Sequence, residues 1–75
     1  MNLKEYIEAK RGNATALSEK IGVSLSYLSQ LSVEGAQISP IRAVEIEQAT
    51  DRLVTRQELR PDDWQRIWPE LAIAA

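Results

Sequence analysis

Residues 14–33 read ATALSEKIGVSLSYLSQLSV and hold one glycine between two apolar repeats. Before the glycine, Leu17 and Ile21 are four residues apart, which places them on one face of a helix. After it, Leu28 and Leu31 are three residues apart, which again fits one helix face. The glycine permits the left-handed backbone that a tight turn needs. The stretch therefore predicts two short helices joined by a glycine turn.

Val23 directly follows that glycine, and we expect it to fill the corner between the two helices. This arrangement is typical of the helix-turn-helix motif, in which the second helix presents its outer face to the major groove of DNA. An αα corner with a glycine turn also occurs in proteins that never bind DNA. The corner alone therefore leaves a purely structural role open.

The outer face of the second helix carries hydroxyl and amide side chains and no charge. Exposed helix positions ordinarily hold strong helix formers such as lysine and glutamate, whereas serine is a mediocre one. Short neutral donors and acceptors suit a close approach to base edges, since glutamine pairs with adenine and serine with several bases. We therefore predict that this face reads DNA. Its members are Ser24, Ser26, Tyr27, Ser29, Gln30 and Ser32.

Capping signals divide the chain into short helices. Ser39 followed by Pro40 is a favoured helix start, and Thr55 with Glu58 forms a capping box. Strand signals are weak, so we predict an all-α fold in one domain, residues 1–75, with the motif at about 14–33 and a tail at about 61–75. The predicted caps are Asn2, for a helix ending near Arg11, and Asn13, Ser24, Ser39 and Thr55, with a last turn or two from Pro61 stopped by Pro69.

Composition narrows the class of function. The 75 residues include no cysteine and no histidine, which excludes disulfides, thiolate or imidazole metal sites and Cys/His or Ser/His catalytic pairs. We expect no enzymatic activity, no cofactor, no metal and no small-molecule substrate. No apolar run approaches the roughly 20 residues of a membrane span. The first eleven residues also lack the apolar core of a secretory signal. A cytoplasmic, nucleoid-associated protein is therefore expected.

The net charge of −2 is unusual for a nucleic-acid-binding protein. Residues 1–33 carry a balance of +1 and residues 34–75 a balance of −3. Net charge governs non-specific affinity and not the fold. The binding that we predict must therefore depend on a specific docking surface.

The second half of the chain resembles a known family. Residues 46–50 (IEQAT) and 54–62 (VTRQELRPD) are similar to the YdaS group of Cro-like proteins, small phage- and prophage-derived regulators of which some are classed as antitoxins. The predicted motif precedes this stretch at the expected place, so the resemblance covers nearly the whole chain. One departure is Asp51-Arg52, where the group commonly has glycines. The resemblance implies a compact five-helix fold of the Cro/CI phage-repressor type, operator binding and a homodimer.

The resemblance also suggests which residues contact DNA. In phage repressors of this superfamily, the start of the recognition helix and the residue one turn later contact bases, while helix caps and the following loop contact phosphates. Each of these assignments has an alternative. Asn13 and Ser39 could serve only as helix caps, and Tyr27 could pack its ring on the edge of the core. The base-reading candidates are Leu25, Ser26, Ser29 and Gln30. The phosphate candidates are Asn13, Thr15, Ser24, Tyr27, Gln37, Ser39 and Arg42.

Two features of the second half have competing interpretations. Arg56 and Arg60 could support DNA contact, but we expect them to pair with the nearby acids Glu58, Asp62 or Asp63. The tail carries an apolar stripe that either completes the core or forms a dimer or partner surface. We expect Trp64 to pack inside the monomer and leave Trp68 and Leu71 as the possible partner surface.

The function predicted from these observations is sequence-specific transcription regulation. We expect a Cro-like prophage repressor that binds a roughly palindromic operator as a dimer, with half-sites ~34 Å apart. The alternative is an antitoxin that acts by binding its toxin protein and uses DNA binding for autoregulation.

Overall fold

The computed structural model describes residues 1–33 and 35–73. Seven helices and no strand occur in these residues, which confirms the all-α class. The prediction of five helices is wrong, because the tail forms two further helices. The helices are α1 Leu3–Ala9, α2 Asn13–Ile21, α3 Leu25–Leu31, α4 Pro40–Ala49, α5 Arg56–Leu59, α6 Trp64–Ile67 and α7 Pro69–Ile73.

The tail differs from the prediction at its proline. The preceding turn, α6, does end before Pro69 as predicted, but Pro69 also begins a further helix, α7. Proline is tolerated at the first position of a helix because the N–H that it lacks would have no intrahelical partner there. The last two residues of the predicted tail lie outside the described residues.

Four of the five predicted caps are confirmed, since the side chains of Asn2, Ser24, Ser39 and Thr55 each accept a backbone N–H of the helix that follows. The cap predicted at Asn13 is wrong. Gly12, in the left-handed conformation with φ 92°, precedes α2 instead, and Asn13 is the first helical residue. Its side-chain amide donates to the carbonyl of Tyr6 at 2.8 Å. The asparagine therefore ties the start of α2 to α1.

The turn after α4 is built from two left-handed residues. Asp51 has φ 53° and Arg52 has φ 67°, although neither is a glycine. The N–H of Arg52 donates to the carbonyl of Glu47 at 2.8 Å, which holds the turn against the end of α4. The positive φ values explain why glycine suits this place, since glycine has no Cβ to clash in this conformation. Asp51 and Arg52 therefore form this turn at some cost in strain.

One apolar core joins the helices, and both helices of the corner contribute to it. Leu17 on α2 and Leu28 on α3 are each only 1% exposed, as the spacing predicts. Val23 is half-buried and packs against the same core from the corner. The core comprises Leu3, Leu17, Ile21, Leu28, Leu31, Ile38, Ala43, Ile46, Val54 and Leu59.

The two tryptophans of the tail differ in how they pack. Trp68 packs against the core, whereas α6, which contains Trp64, buries no residue. Trp64 is itself half-buried, so it packs partly inside the monomer but lies outside the core that Trp68 contacts. Trp68 lies at the bend between α6 and α7, and the guanidinium of Arg56 is 5.3 Å from the centroid of its ring. Leu71 is half-buried, and its role in a partner surface stays a prediction.

Candidate nucleic-acid interface

The corner between α2 and α3 is a three-residue turn closed by hydrogen bonds to one carbonyl. Gly22 is left-handed with φ 71°, and its N–H donates to the carbonyl of Ser18. The N–H of Val23 donates to the same oxygen at 3.0 Å. Ser24 then starts α3, its hydroxyl accepting the N–H of Tyr27 at 3.1 Å. The turn therefore holds α3 against α2 with few degrees of freedom.

The four base-reading candidates all lie on the surface of α3. Leu25 is 52% exposed, and Ser26, Ser29 and Gln30 are exposed as well. In the described part of the chain, no hydrogen bond engages the side chains of these three polar residues. Their role in reading bases stays a prediction. Geometrically, α3 presents a row of accessible donors and acceptors on the side opposite the buried Leu28.

The start of α2 is the second part of the candidate interface. No side chain caps this helix, and Thr15 is exposed in its first turn. Uncapped N–H groups and the helix dipole give a helix N-terminus a partial positive charge that favours phosphate. Asn13 is half-buried and already donates to Tyr6, so its phosphate contact requires its other amide hydrogen.

Ser24 and Ser39 are caps, and their capping role leaves their hydroxyl protons free. Each oxygen accepts one backbone N–H, from Tyr27 at 3.1 Å and from Arg42 at 3.2 Å. A serine hydroxyl has one donor besides its two acceptor lone pairs. Capping and donation to a phosphate are therefore compatible. Gln37 is exposed in the connection between α3 and α4.

Arg42 makes three contacts within the protein. Its Nη1 donates to the carbonyl of Ile21 at 3.1 Å and lies 3.3 Å from Glu45 Oε1. Its guanidinium carbon is 5.8 Å from the centroid of the Tyr27 ring, and Tyr27 is 41% exposed. The phosphate contact predicted for Arg42 stays a prediction. Sequence patterns gave no signal for the contact with Ile21, because it lies 21 residues from Arg42 in the chain, whereas Glu45 is a local i,i+3 partner.

A second basic residue makes the reciprocal contact. Lys20 Nζ, on α2, donates to the carbonyl of Ala49 at 3.3 Å. Ala49 ends α4, just as Ile21 ends α2. Carbonyls at a helix C-terminus lack intrahelical partners and are stabilised by basic side chains. Each of these two helices therefore supplies a cation to the last carbonyl of the other.

The arginines of α5 and of the residue after it are held by acids. Arg60 pairs with Asp63, as predicted, with 2.9 Å between Nε and Oδ1, and it also donates to the carbonyl of Ile38. Hydrogen bonds from Arg60 hold the pKa of Asp63 below its usual value despite some opposing desolvation. Arg56 pairs with Glu47, with 2.9 Å between Nη2 and Oε1. The partners predicted for Arg56 are therefore wrong, because the acid that binds it comes from α4.

Neither a metal site nor a membrane span is evident in the part of the chain that the structure describes. There, no three acidic, histidine or cysteine side chains come together as metal ligands would. No helix over the same residues is long and apolar enough to cross a bilayer.

Comparison with known proteins assigns the chain to a family. A family model described as "Bacterial toxin YdaS" matches residues 3–67. A search of curated proteins finds no match. The matched range extends from the first residue of α1 to the last of α6 and includes both helices of the corner and the left-handed turn. The chain therefore belongs to the YdaS family.

Proposed function

We propose that this protein is a sequence-specific DNA-binding transcription regulator that uses α2 and α3 as a helix-turn-helix motif. The observation that carries the proposal is the outer face of α3. There, Ser26, Ser29 and Gln30 are exposed and make no side-chain hydrogen bond within the described residues. Meanwhile Leu28 and Leu31 anchor the opposite side of the same helix in the core. Such a helix is rigidly mounted and presents neutral polar groups outward.

Base reading is assigned to this face. Gln30 has the longest neutral hydrogen-bonding group there, and a glutamine amide pairs bidentately with adenine N6 and N7 in the major groove. Ser26 lies one turn earlier and Ser29 beside Gln30, so both supply shorter donors and acceptors. Leu25, at 52% exposure, offers an apolar contact for a thymine methyl group.

Phosphate binding is assigned to the edges of the motif. The uncapped start of α2, with Asn13 and Thr15, provides backbone N–H groups for one phosphate. The hydroxyls of Ser24 and Ser39 can donate while they cap their helices. Contacts of this kind position a protein on the duplex without carrying sequence information. Tyr27 and Gln37 extend this set along the same side of the corner.

The proposed regulator acts as a homodimer and by binding instead of catalysis. Two copies related by a twofold axis would place their α3 helices one DNA turn apart, about 34 Å, on a roughly palindromic operator. A Cro-like repressor of this kind would work in the cytoplasm, on the nucleoid.

The test is selection from a random DNA library. The wild-type protein is incubated with duplexes that carry a central randomised segment of 30 base pairs, and bound duplexes are sequenced over successive rounds. We expect enrichment of a roughly palindromic site and binding at least about a hundred-fold tighter than to a scrambled duplex of equal composition. Failure to enrich any sequence, or equal binding to both duplexes, would overturn the proposal.

A second candidate function is protein binding within a toxin–antitoxin pair. The family description names a bacterial toxin, and four large apolar side chains of the described residues outside α3 are exposed: Met1 at 45%, Val33 at 59%, Ile41 at 77% and Leu53 at 55%. Induced expression in a bacterial host separates the candidates. Growth arrest that persists in a variant unable to bind the enriched duplex would favour protein binding, whereas arrest lost together with DNA binding would favour regulation.

A further inference from the structure

One arginine lies where three helices meet. Arg42 belongs to α4, its Nη1 donates to the last carbonyl of α2 at Ile21, and its guanidinium faces the ring of Tyr27 on α3. Oε1 of Glu45, one turn further along α4, lies 3.3 Å from the same Nη1. The side chain is 25% exposed, so part of the group is shielded from water. Arg42 therefore contacts both helices of the α2–α3 corner although it belongs to neither of them.

The chemistry of these contacts requires a guanidinium. Its planar fork bonds a carbonyl with an edge N–H while its face stacks on an aromatic ring, whereas an ammonium is a compact point charge. The carbonyl of Ile21 is one of those left without an intrahelical partner at a helix C-terminus. A cation within about 6 Å of a ring centroid is attracted to it. Arg42 thus contacts both α2 and a side chain of α3 through one group.

The backbone of Arg42 is also fixed by a hydrogen bond. The backbone N–H of Arg42 donates to the Ser39 hydroxyl at 3.2 Å in the first turn of α4. At the far end of α4, Lys20 of α2 binds the carbonyl of Ala49 at 3.3 Å. Because α4 contacts α2 through Arg42 near its start and through Ala49 at its end, the packing of these two helices fixes where the Arg42 guanidinium lies.

We propose that Arg42 is a positioning residue, which sets the orientation of Tyr27 and of α3 against α2 and so aligns the base-reading side chains. This inference rests on the proposed DNA-binding function. It differs from the phosphate contact that the resemblance implies for Arg42. In the positioning role the guanidinium acts through Tyr27 and Ile21 and neutralises no phosphate.

The two roles differ in their dependence on salt and on the shape of the cation. A phosphate contact releases counterions, so its loss lowers the slope of log affinity against log salt by about one, and lysine substitutes for arginine. A positioning contact leaves the slope unchanged, and lysine fails because it lacks the fork. The variants are therefore Arg42→Lys, which keeps the charge, and Arg42→Met, which keeps the length. Arg66→Met, an exposed arginine on α6, is the control for loss of one positive charge.

The experiment titrates each variant with the duplex enriched by the wild-type protein and with its scrambled form, at several salt concentrations. Temperatures are chosen at which circular dichroism shows each variant to be fully folded. We expect Arg42→Lys and Arg42→Met both to weaken binding to the enriched duplex by about ten-fold, the discrimination of one base contact, with an unchanged salt slope. Arg66→Met should leave binding to the enriched duplex within about two-fold of wild type.

Amide NMR spectra of the free proteins give a readout that needs no DNA. We expect the signals of residues 25–31 to shift in both Arg42 variants and to stay in place in Arg66→Met. Lysine that restores affinity, or a slope lowered by about one in Arg42→Met, would overturn the inference and leave the proposed function intact. Lower thermal stability with unchanged affinity and unchanged α3 signals would also overturn it. Absence of an enriched duplex for the wild-type protein would instead overturn the proposed function, and the DNA role of Arg42 with it.

Discussion

Glu47 on α4 binds Arg56 at the start of α5 through both of its carboxylate oxygens. Its Oε2 accepts the backbone N–H of Arg56 at 3.1 Å, and its Oε1 accepts the side-chain Nε at 3.0 Å. Glu47 is 7% exposed, while the guanidinium of Arg56 also lies over the ring of Trp68. One buried carboxylate therefore joins the fourth helix to the fifth and, through the arginine, to the tail.

The first prediction concerns the asymmetry of this ion pair. Arg56→Met should lower the free energy of unfolding by about 3 kcal/mol, since it leaves a buried carboxylate without its charged partner. Glu47→Gln should cost only about 1 kcal/mol, because the amide still accepts a hydrogen bond and the freed guanidinium can reach water. Urea denaturation measures both values. Glu45→Gln, which breaks the more exposed pair with Arg42, is the control and should change stability by less than about 0.5 kcal/mol. Equal losses for Arg56→Met and Glu47→Gln would contradict this account.

The second prediction concerns the left-handed turn after α4. Arg52 adopts φ 67°, a conformation that costs an L-residue roughly 1–2 kcal/mol. Arg52→Gly should therefore raise the free energy of unfolding by about 1 kcal/mol, once the entropy that glycine loses on folding is subtracted. Arg52→Ala removes the same side chain but keeps the Cβ, so it should give no gain. If alanine stabilised the protein as much as glycine does, the strain would not be the cause.

The third prediction ranks the two tryptophans. Trp68 packs against the core, so Trp68→Ala should cost about 2–3 kcal/mol, somewhat less than a fully buried tryptophan. Trp64→Ala should cost about 1 kcal/mol, since α6 buries no residue. Thermal unfolding of both variants compares the two sites within the same tail. A Trp64 variant that is the less stable of the pair would show that the core extends to α6.

The fourth prediction concerns acid. The pKa of Asp63 is lowered in the folded protein by hydrogen bonds from Arg60, so the ionised carboxylate stabilises the fold. A lowered folded-state pKa gives a contribution that is present above the pKa of the unfolded chain and is lost as the pH falls through the folded value. Asp63→Asn should therefore be less stable than wild type at pH 7. The difference should shrink below about pH 4, the ordinary range for aspartate.

Urea titrations of both proteins at neutral and acidic pH test this dependence. Asp62→Asn, at the exposed neighbouring position, is the matched control and should show little difference at either pH. A deficit of Asp63→Asn that stayed constant down to pH 2 would mean that the carboxylate charge is irrelevant.

The fifth prediction concerns base reading by Gln30. A bidentate contact to a base discriminates by about 1–3 kcal/mol, so Gln30→Ala should weaken binding to the enriched duplex by roughly ten- to a hundred-fold. Folding and binding to the scrambled duplex should stay nearly unchanged, because the side chain is exposed. Gln48→Ala, at an exposed glutamine on α4, is the control. Equal loss on both duplexes would assign Gln30 to the DNA backbone, and no loss on either would remove it from the interface.

Local signals in the sequence were sufficient for the corner and for most helix starts. Leu17, Ile21, Leu28 and Leu31 follow the helical period, and all four are buried. A cap such as Ser24 involves partners within three residues, so its pattern is visible in a short window. The exposed members of the α3 face follow from the same periodicity, since residues that alternate with a buried stripe must point outward.

What the sequence could not predict depends on partners that are distant in the chain. Arg56 pairs with Glu47, which lies nine residues earlier in the chain, and not with the nearer acids that the local pattern favoured. The cap of α2 was missed because Asn13 satisfies the carbonyl of Tyr6 instead of its own helix. The contact of Arg42 with Ile21 likewise requires the packing of α4 on α2, which no periodicity encodes.

The separation of tasks within α3 bears on how this protein can change over generations. Leu28 and Leu31 hold the helix in the core, while Ser26, Ser29 and Gln30 make no side-chain hydrogen bond in the described fold. Replacement of these three residues therefore sacrifices no side-chain hydrogen bond of the described fold, and better helix formers than serine would even strengthen the helix. Under the proposed function, a lineage could acquire a new operator by drift on this face alone, without an unstable intermediate.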